Sequence, residues 1–572
     1  MTIEERLKYP EPNFIREKTE IINDGWLFSF DGNKWENINV PFCPESKLSG
    51  IGYTDFIPQC FYKKIFNIEK NDEKIVIHFG AVDYRCDLCV NGKRVGLHVG
   101  GYTPFTIDIT DAVISGDNEL YLAVHDDELR DCPSGKQAYK KNSFGCFYTR
   151  TTGIWQNVWI EKTPKLYIKQ LHFYPSIKDQ SVTVKMITNG CGKCDIKVFY
   201  KDSLMGEYNG EVDYSADIKI TLKEKHLWEV GCGRLYDVVA TFENDSVNSY
   251  FGLREVAYKG YDFLLNGKTV FQKLVLDQGF YPDGIYTAPS IDAMKKDIQL
   301  SVDVGFNGAR LHQKVFEPRF LYLCDVTGYM VWAEFSSWGV DYSDLHFVGR
   351  FLQEWEESMA RDFNHPAIIT WCPLNEVWGT WEDAKQERDV RFIDLVYNFT
   401  KTYDTTRPCL DVSGGHHGHK SDFFDFHCYA DAEELKKYLD ELENSDKVEI
   451  PLLYCESENL KYQHGLSCNI SEFGGIRVSV EESISRVATV NEGAVSNEEA
   501  WGYGKVENNA DDLVNRYEAL VDLIFSCKKI SGFCYTQLYD VEQEENGLYF
   551  YNRCDKLSAK QKARMREINS HR

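Results

Sequence analysis

Positive charge is scarce in this chain: 64 lysines and arginines face 89 aspartates and glutamates, for a net charge of −25. No basic stripe able to neutralise a phosphate backbone occurs along it, which excludes nucleic acid as the expected partner. Long apolar runs are missing too. Nothing approaches the roughly 18 uninterrupted apolar residues of a membrane span, so no membrane partner is expected. Residues 1–20, charged and broken by Pro10 and Pro12, lack the apolar core of about 7–15 residues that an export signal carries. With 18 cysteines and no such signal, the cysteines are expected to be reduced thiols in a cytoplasmic protein. A glycine-rich phosphate turn after an early strand is also absent, which argues against a doubly wound nucleotide-binding sheet.

Two cysteine pairs, Cys86 with Cys89 and Cys191 with Cys194, have the spacing of metal ligands. A zinc ribbon wants its pairs about 15–20 residues apart, and these lie much further apart, in what read as different domains. Cys86 and Cys89 also fall on an expected strand, where their odd separation points them to opposite faces. Gly414-Gly415-His416-His417-Gly418-His419 lacks Cys, Asp or Glu in ligand-like spacing, and reads as a polar loop at the mouth of a site. Neither a metal nor a redox cofactor is expected.

At 572 residues the chain exceeds the roughly 250–300 residues one core can serve. From Gly25 to about Glu161, short apolar runs alternate with turn signals: residues 75–79, residues 88–90 followed by Asn91-Gly92, and residues 120–124. Asn-Gly between alternating apolar residues is a hairpin cue, and strands at this spacing predict a β-sandwich. A second set at residues 181–186, 195–199, 217–221 and 238–242 predicts an immunoglobulin-like sandwich. Beyond Arg254 the rhythm becomes strand, helix, strand, helix. Helices are expected at residues 291–300, 319–327, 347–363, 387–403, 432–443 and 511–528. Short apolar runs with polar ends fall at 273–277, 305–312, 330–334, 367–376, 408–411, 423–429, 467–472 and 532–537. Eight such repeats make a (β/α)8 TIM barrel the economical fold. The expected domains are 1–163, 164–254 and 255–572.

Glu376 ends the fourth expected barrel strand, beside Asn375, and Glu472 ends the seventh. Strand ends of a closed barrel face one another across its mouth, so the two carboxylates can approach to the ~5–5.5 Å of glycosidases that retain anomeric configuration. One carboxyl must carry a proton for the leaving oxygen while the other stays ionised to attack. Asn375 offers an amide for the sugar 2-hydroxyl, and Gly474-Gly475 lets the chain pass close to the sugar. Arg310 and His312 close the second strand, and a guanidinium there would keep Glu472 ionised. His427 and Tyr429 end the sixth strand, and Asp277, Gln278 and Glu334 end others. Trp332, Trp338, Trp371, Trp378, Trp381 and Trp501 can either stack on sugar faces or pack in the core.

These segments resemble glycoside hydrolase family 2, the family of β-galactosidases, β-glucuronidases and β-mannosidases. The resemblance runs through residues 82–84, 90–93, 100–105 and 152–159 in the first domain and closes the second at Phe251-Gly252-Leu253-Arg254. In the barrel it covers residues 305–310, Asn375-Glu376 and Ser471-Glu472-Phe473-Gly474-Gly475. It implies a sugar-binding-like, jelly-roll-like sandwich, an immunoglobulin-like domain and a barrel, with Glu376 as acid/base, Glu472 as nucleophile and Asn375 as the 2-hydroxyl anchor. Departures bear on the sugar. The family's glucuronidases hold the sugar carboxylate with an Asn-x-Lys pair, where residues 542–547 here read Glu-Gln-Glu-Glu-Asn-Gly, so a neutral sugar is expected. Asp277-Gln278 replaces the arginine-histidine of the β-galactosidases, and Tyr535 stands for the final-strand tryptophan. Those changes leave a furanoside open beside a β-galactosidase-like activity. A carbohydrate-binding barrel without chemistry is the rival class, and its mark would be a missing carboxylate. The acidic, multidomain build suits a homo-oligomer without showing one.

Overall fold

The computed structural model describes residues 1–126, 132–342, 345–377, 389–444, 454–455, 465–479 and 500–572. Near the N-terminus two antiparallel sheets pack face to face. One runs, in spatial order, Glu36–Ile38, Trp26–Ser29, Gln59–Ile68, Gly116–His125, Arg85–Val90, Lys93–Val99; the other runs Thr19–Ile21, Val158–Thr163, Lys74–Phe79, Phe105–Asp108. Along Gly116–His125 every second residue from Asn118 onward is buried, the period-two signature of a strand with one face on a core. That core holds Trp26, Tyr62, Ile77, Leu88 and Leu122. Asn91 and Gly92 both take positive φ, 51° and 75°, which makes the expected two-residue hairpin a mirror-image turn matched to strand twist. Cys86 is buried and Cys89 half-buried on that strand, as their alternation requires.

The next sheet corrects one expectation. Residues 181–186 and 195–199 belong to a single strand, Ser181–Tyr200, paired along its length with Ser203–Thr221. The register shifts between Ile187 and Cys191, next to Gly190 and Gly192, and glycine inside a strand marks such irregularities. The long strand therefore bends instead of turning back. Its first half pairs with Ile168–Ser176 and its second with Tyr236–Phe242, so both halves close on one core around Val184, Ile196, Val238 and Phe251. Arg16 pins the two β regions together, with Nη1 2.6 Å from Glu161 and Nε 3.0 Å from Asp245.

The rest is a curled parallel sheet with helices outside it. Its strands are β1 (Gln272–Asp277), β2 (Gly308–Leu311), β3 (Met330–Glu334), β4 (Ile368–Cys372, resuming at Asn375–Val377), β5 (Ser413–His417), β6 (Phe424–Cys428), β7 (Cys468–Gly474) and β8 (Ile530–Thr536). Backbone ladders join β4, β3, β2, β1, β8, β7 and β6 in that order, and the second segment of β4 pairs with β5. Between β5 and β6 the ring is closed by side chains: Ser413 Oγ lies 3.0 Å from Asp425, and His417 Nε2 3.2 Å from the Asp425 carbonyl. Most strands are buried on both faces, as parallel strands under helices must be. Six helices fall within a few residues of expectation: α1 (Ile291–Asp303), α2 (Pro318–Thr327), α3 (Leu345–Asp362), α4 (Val390–Tyr403), α5 (Ala432–Asn444) and α6 (Ala510–Ser526). Ser290 and Asn509 cap two of them with side-chain oxygens, and Pro318 opens another, devices that satisfy or dispense with free N–H groups. A seventh, α7 (Ala559–Ile568), buries only Met565 and Ile568, too little apolar periodicity to be seen in sequence.

The fifth strand differs from expectation. Within residues 408–411, Cys409 makes one bridge to Trp371, after which Asp411 turns inward to accept from Gly418 N at 2.6 Å and to meet His417 Nδ1 at 2.9 Å. Pairing resumes at Ser413–His417, so the glycine–histidine stretch expected as a polar loop is β5 itself. No described helix is long and apolar enough to cross a membrane.

Candidate active site

Arg310 on β2 organises the barrel mouth. Fully buried, it donates from Nε to Glu334 at 2.5 Å, from Nη1 to Glu472 at 2.8 Å and to the Ser471 carbonyl at 3.1 Å, and from Nη2 to Asn375 Oδ1 at 2.6 Å. A planar guanidinium can hold the ends of β3, β4 and β7 in one plane in a way a lysine cannot. Asn375 is thereby oriented with its buried Nδ2 lacking a partner among the described residues, an exception to the rule that buried polar groups are hydrogen-bonded. Its main-chain N–H donates to Ser337 Oγ at 3.1 Å, and its carbonyl accepts from Trp338 Nε1 at 3.1 Å.

The next residue, Glu376, has a φ of 45°, a conformation costing about 1–3 kcal/mol in a residue with a Cβ and found where a side chain must be aimed. Its Oε1 lies 2.7 Å from His427 Nδ1. His427 Nε2 meets Ser413 Oγ at 3.1 Å, and the Ser413 hydroxyl donates to Asp425 at 3.0 Å. Burial works against a charge on the His427 ring, but Glu472 and Glu376 outweigh it and raise its pKa above the ordinary histidine value. Gly414 has a φ of 63°, and a Cβ there would come within 2.6 Å of the His427 ring, so glycine sets the closeness of β5 to β6.

Glu472 accepts from Tyr429 OH at 2.5 Å as well as from Arg310. Burial would raise its pKa, but His427 and Arg310 prevail and hold the carboxyl well below the usual carboxylate range. Oxygens of Glu376 and Glu472 and a ring nitrogen of His427 all lie within 4.8 Å of one another. Two acids and an imidazole could in donor type hold a divalent cation. Here both ring nitrogens are engaged and Arg310 already balances Glu472, so the trio reads as a proton-sharing cluster. His312 adds a ring 2.9 Å from Glu334 Oε1; burial, then Lys136 and Arg310, press its pKa well below the ordinary value, which leaves it neutral.

The structure thus gathers Glu376, Glu472, Asn375, Arg310, His312, Glu334, His427 and Tyr429. It does not bring four other expected residues into the cluster. Asp277 Oδ1 accepts from Gly279 N at 2.9 Å and from Tyr539 OH. Gln278 donates to Gln537 Oε1 at 2.6 Å and to Tyr148 OH at 3.0 Å. Tyr535 packs among Phe306, Phe473 and Tyr517 on the helix side of β8. Trp501 donates Nε1 to the Gly145 carbonyl at 2.8 Å and meets the ring of Tyr503 edge-on. Trp332 and Trp371 are core residues tied to Gln272 and Asp404. Trp378 and Trp381 lie outside the described residues.

Other contributors were not foreseen. Thr536, next after Tyr535, reaches Tyr429 OH at 3.1 Å, and Tyr503 stacks on Tyr429 at 3.4 Å between centroids. Gln313 supports the Asn375 side by donating its N–H to Glu334 at 3.0 Å and accepting from Trp338 N at 3.1 Å. Asp425 holds Ser413 and Ser471 from behind; it shares strand parity with His427 and Tyr429, a signal that could have found it.

The family model described as glycosyl hydrolases family 2, TIM barrel domain, matches residues 256–466, and that of the family's sugar binding domain matches residues 36–164. A putative β-glucuronidase of Formosa agariphila is 27% identical over 410 residues, 65% of this chain and 47% of that protein. A β-galactosidase of Thermoanaerobacterium thermosulfurigenes is 28% identical over 389 residues, 61% of this chain and 53% of that protein. The chain spans about half the length of these curated relatives. Among solved structures, a β-glucuronidase of Faecalibacterium prausnitzii shares the fold with a TM-score of 0.78 at 20% identity, covering 98% of this chain and 99% of that one. The two family models together span more than half of the sequence, and this chain belongs to glycosyl hydrolase family 2.

Proposed function

We propose that the protein is a retaining exo-glycosidase that releases a terminal β-linked sugar by double displacement. The observation that carries this reading is the approach of Glu376 and Glu472 to within 4.8 Å, room for a sugar carbon and too little for a water in line. Glu472, kept ionised by Arg310 and His427, attacks the anomeric carbon. Glu376 protonates the leaving oxygen, drawing on the proton it shares with His427, and then activates the water that resolves the glycosyl-enzyme. Asn375, its Oδ1 fixed by Arg310, offers Nδ2 to the sugar 2-hydroxyl, a bond that strengthens in the transition state. Supporting the wider reading, the five-stranded middle region is taken as immunoglobulin-like, with domains 1–163, 164–254 and 255–572. Free thiols among the described cysteines favour a reducing, cytoplasmic setting.

The acids at residues 542–547 are not free to repel a charged sugar. Glu542 accepts from Thr149 N at 3.1 Å, Glu544 from Tyr148 OH and from Asn546 at 2.9 Å, and Glu545 meets Arg477 at 3.3 Å, so each acid of that stretch is already engaged. Asp277 and Tyr535, whose departures argued against a galactopyranoside, are occupied elsewhere. Proton NMR of the first-formed product from nitrophenyl β-glycosides tests the mechanism: the β-anomer is expected first, and an initial α-anomer would refute double displacement.

A further inference from the structure

We propose that Lys136 recognises a negatively charged substituent on the terminal sugar, a carboxylate or a sulfate ester. This deepens the glycosidase reading above and rests on it for the position of the sugar. Lys136 lies in residues 132–152, which lead into Gly153–Ile154, a short strand paired with Val82–Asp83 of the first sandwich. That segment lies across the barrel mouth: Ser134 N donates to the Trp338 carbonyl at 2.8 Å, Tyr148 OH to Glu544, and Thr149 N to Glu542 at 3.1 Å. The Lys136 carbonyl accepts from Tyr148 N at 2.8 Å, which fixes the backbone from which the side chain departs.

The side chain is 7% exposed, and its ammonium sits 5.3 Å from the centre of the Trp338 ring and 6.0 Å from that of Tyr148. Trp338 Nε1 is bonded to the carbonyl of Asn375, one residue from Glu376, which brings the ammonium into the neighbourhood of the two carboxylates. No hydrogen bond or ion pair from the described residues reaches it. Other buried cations of the barrel are satisfied: Arg310 by Glu334 and Glu472, Lys314 by the carbonyls of Gly279 and Tyr286, Lys556 by Asp540. A buried charge is normally paired, and Lys136 has no such partner among the described residues while lying close enough to Glu376 and Glu472 to feel their charge. Burial alone would strip its proton, but Cys146 and, after it, Glu544, Glu472 and Glu376 raise its pKa and keep it charged. Its position on the sandwich-derived segment, not on residues 542–547, separates it from the Asn-x-Lys arrangement that this chain lacks.

The test compares the full chain with Lys136→Met and Lys136→Arg on nitrophenyl β-glucuronide, β-galacturonide, 6-sulfo-β-galactoside and the neutral β-glucoside and β-galactoside. The wild type is expected to favour one anionic substrate over its neutral counterpart. Lys136→Met should cut that ratio by about 10–100-fold, the range for losing a hydrogen bond to a charged group, chiefly through KM, and Lys136→Arg should restore part of it. Preference for the sulfated sugar would keep the anion and assign it as sulfate; preference for a uronide assigns a carboxylate. A wild type that favours neutral glycosides, or a Lys136→Met chain that loses both classes equally, overturns the proposal. Calorimetric titration of the full chain with glucuronate, galacturonate and galactose 6-sulfate separates the two readings. Should no glycoside be cleaved, the hydrolase reading fails, and anion binding that does or does not depend on Lys136 still decides this one.

Discussion

His427 Nδ1 stands 2.7 Å from Glu376 Oε1, so the ring and the carboxyl group hold one proton between them. Because the folded protein raises the His427 pKa, its charged form persists through the ordinary histidine range near pH 6.5 and is lost only as pH rises beyond it. The expected profile of kcat/KM has its descending limb on the alkaline side. His427→Gln leaves the proton to a carboxyl group alone, and the limb should move to lower pH. Rates measured across overlapping buffers at constant ionic strength check this; an unmoved limb removes His427 from the proton path.

Glu472→Ala and Glu376→Ala should each lower kcat by about 10³-fold or more, as loss of a nucleophile or an acid/base does. Azide should rescue Glu472→Ala and yield the α-glycosyl azide, since the small anion attacks from the vacated face. Retained turnover in both variants would defeat the assignment.

Arg310→Met leaves Glu334, Glu472 and Asn375 without their shared donor. Stripping one partner from a buried ion pair costs about 3–5 kcal/mol, so the melting point should drop by several degrees. The Glu472 carboxyl, no longer held down by the guanidinium, should titrate closer to its ordinary value and move the acid limb of the rate profile upward. Calorimetry and the pH profile read the two effects separately.

Away from the mouth, Glu161 is held down to a pKa of about 2: burial would raise it, and His78 and Arg16 prevail. A depressed carboxyl contributes stability above its unfolded value and loses it as pH falls through the folded one. That contribution is about 3 kcal/mol at neutral pH, disappearing between roughly pH 5 and 2. Glu161→Gln should be less stable at pH 7 and show a flatter acid decline by scanning calorimetry; parallel declines would contradict the role of the Arg16 cluster.

The strands carrying the proposed catalytic pair were legible because their sequence signal is local. An apolar run that ends in Asn375-Glu376, or in Glu472, states both a buried strand and the side chain it delivers, and Arg310, His427 and Tyr429 follow the same rule. Strand ends alone mislead by one position, since neighbours alternate between faces: Tyr535 points to the helices and Thr536 to the mouth. Two elements were hidden by composition. Glycines at 190 and 192 resemble a turn inside what is one bent strand, and Gly414-Gly415 disguise β5 as a loop. Trp338 is one of several tryptophans that read as stacking or packing, but its meeting with Lys136 could not be read, because it depends on a non-periodic segment of the first sandwich lying across the barrel.

That crossing segment is anchored by main-chain groups, Ser134 N on the Trp338 carbonyl and Thr149 N on Glu542, and by the side chains of Gln137, Tyr148 and Arg150, so its course does not depend on the Lys136 side chain. A substitution at Lys136 would therefore change the charge beside the barrel mouth while β4 and β7 keep Glu376 and Glu472 where they are. Selection, or a protein engineer, could change this molecule's diet by editing a borrowed rim and leaving the machinery beneath it untouched.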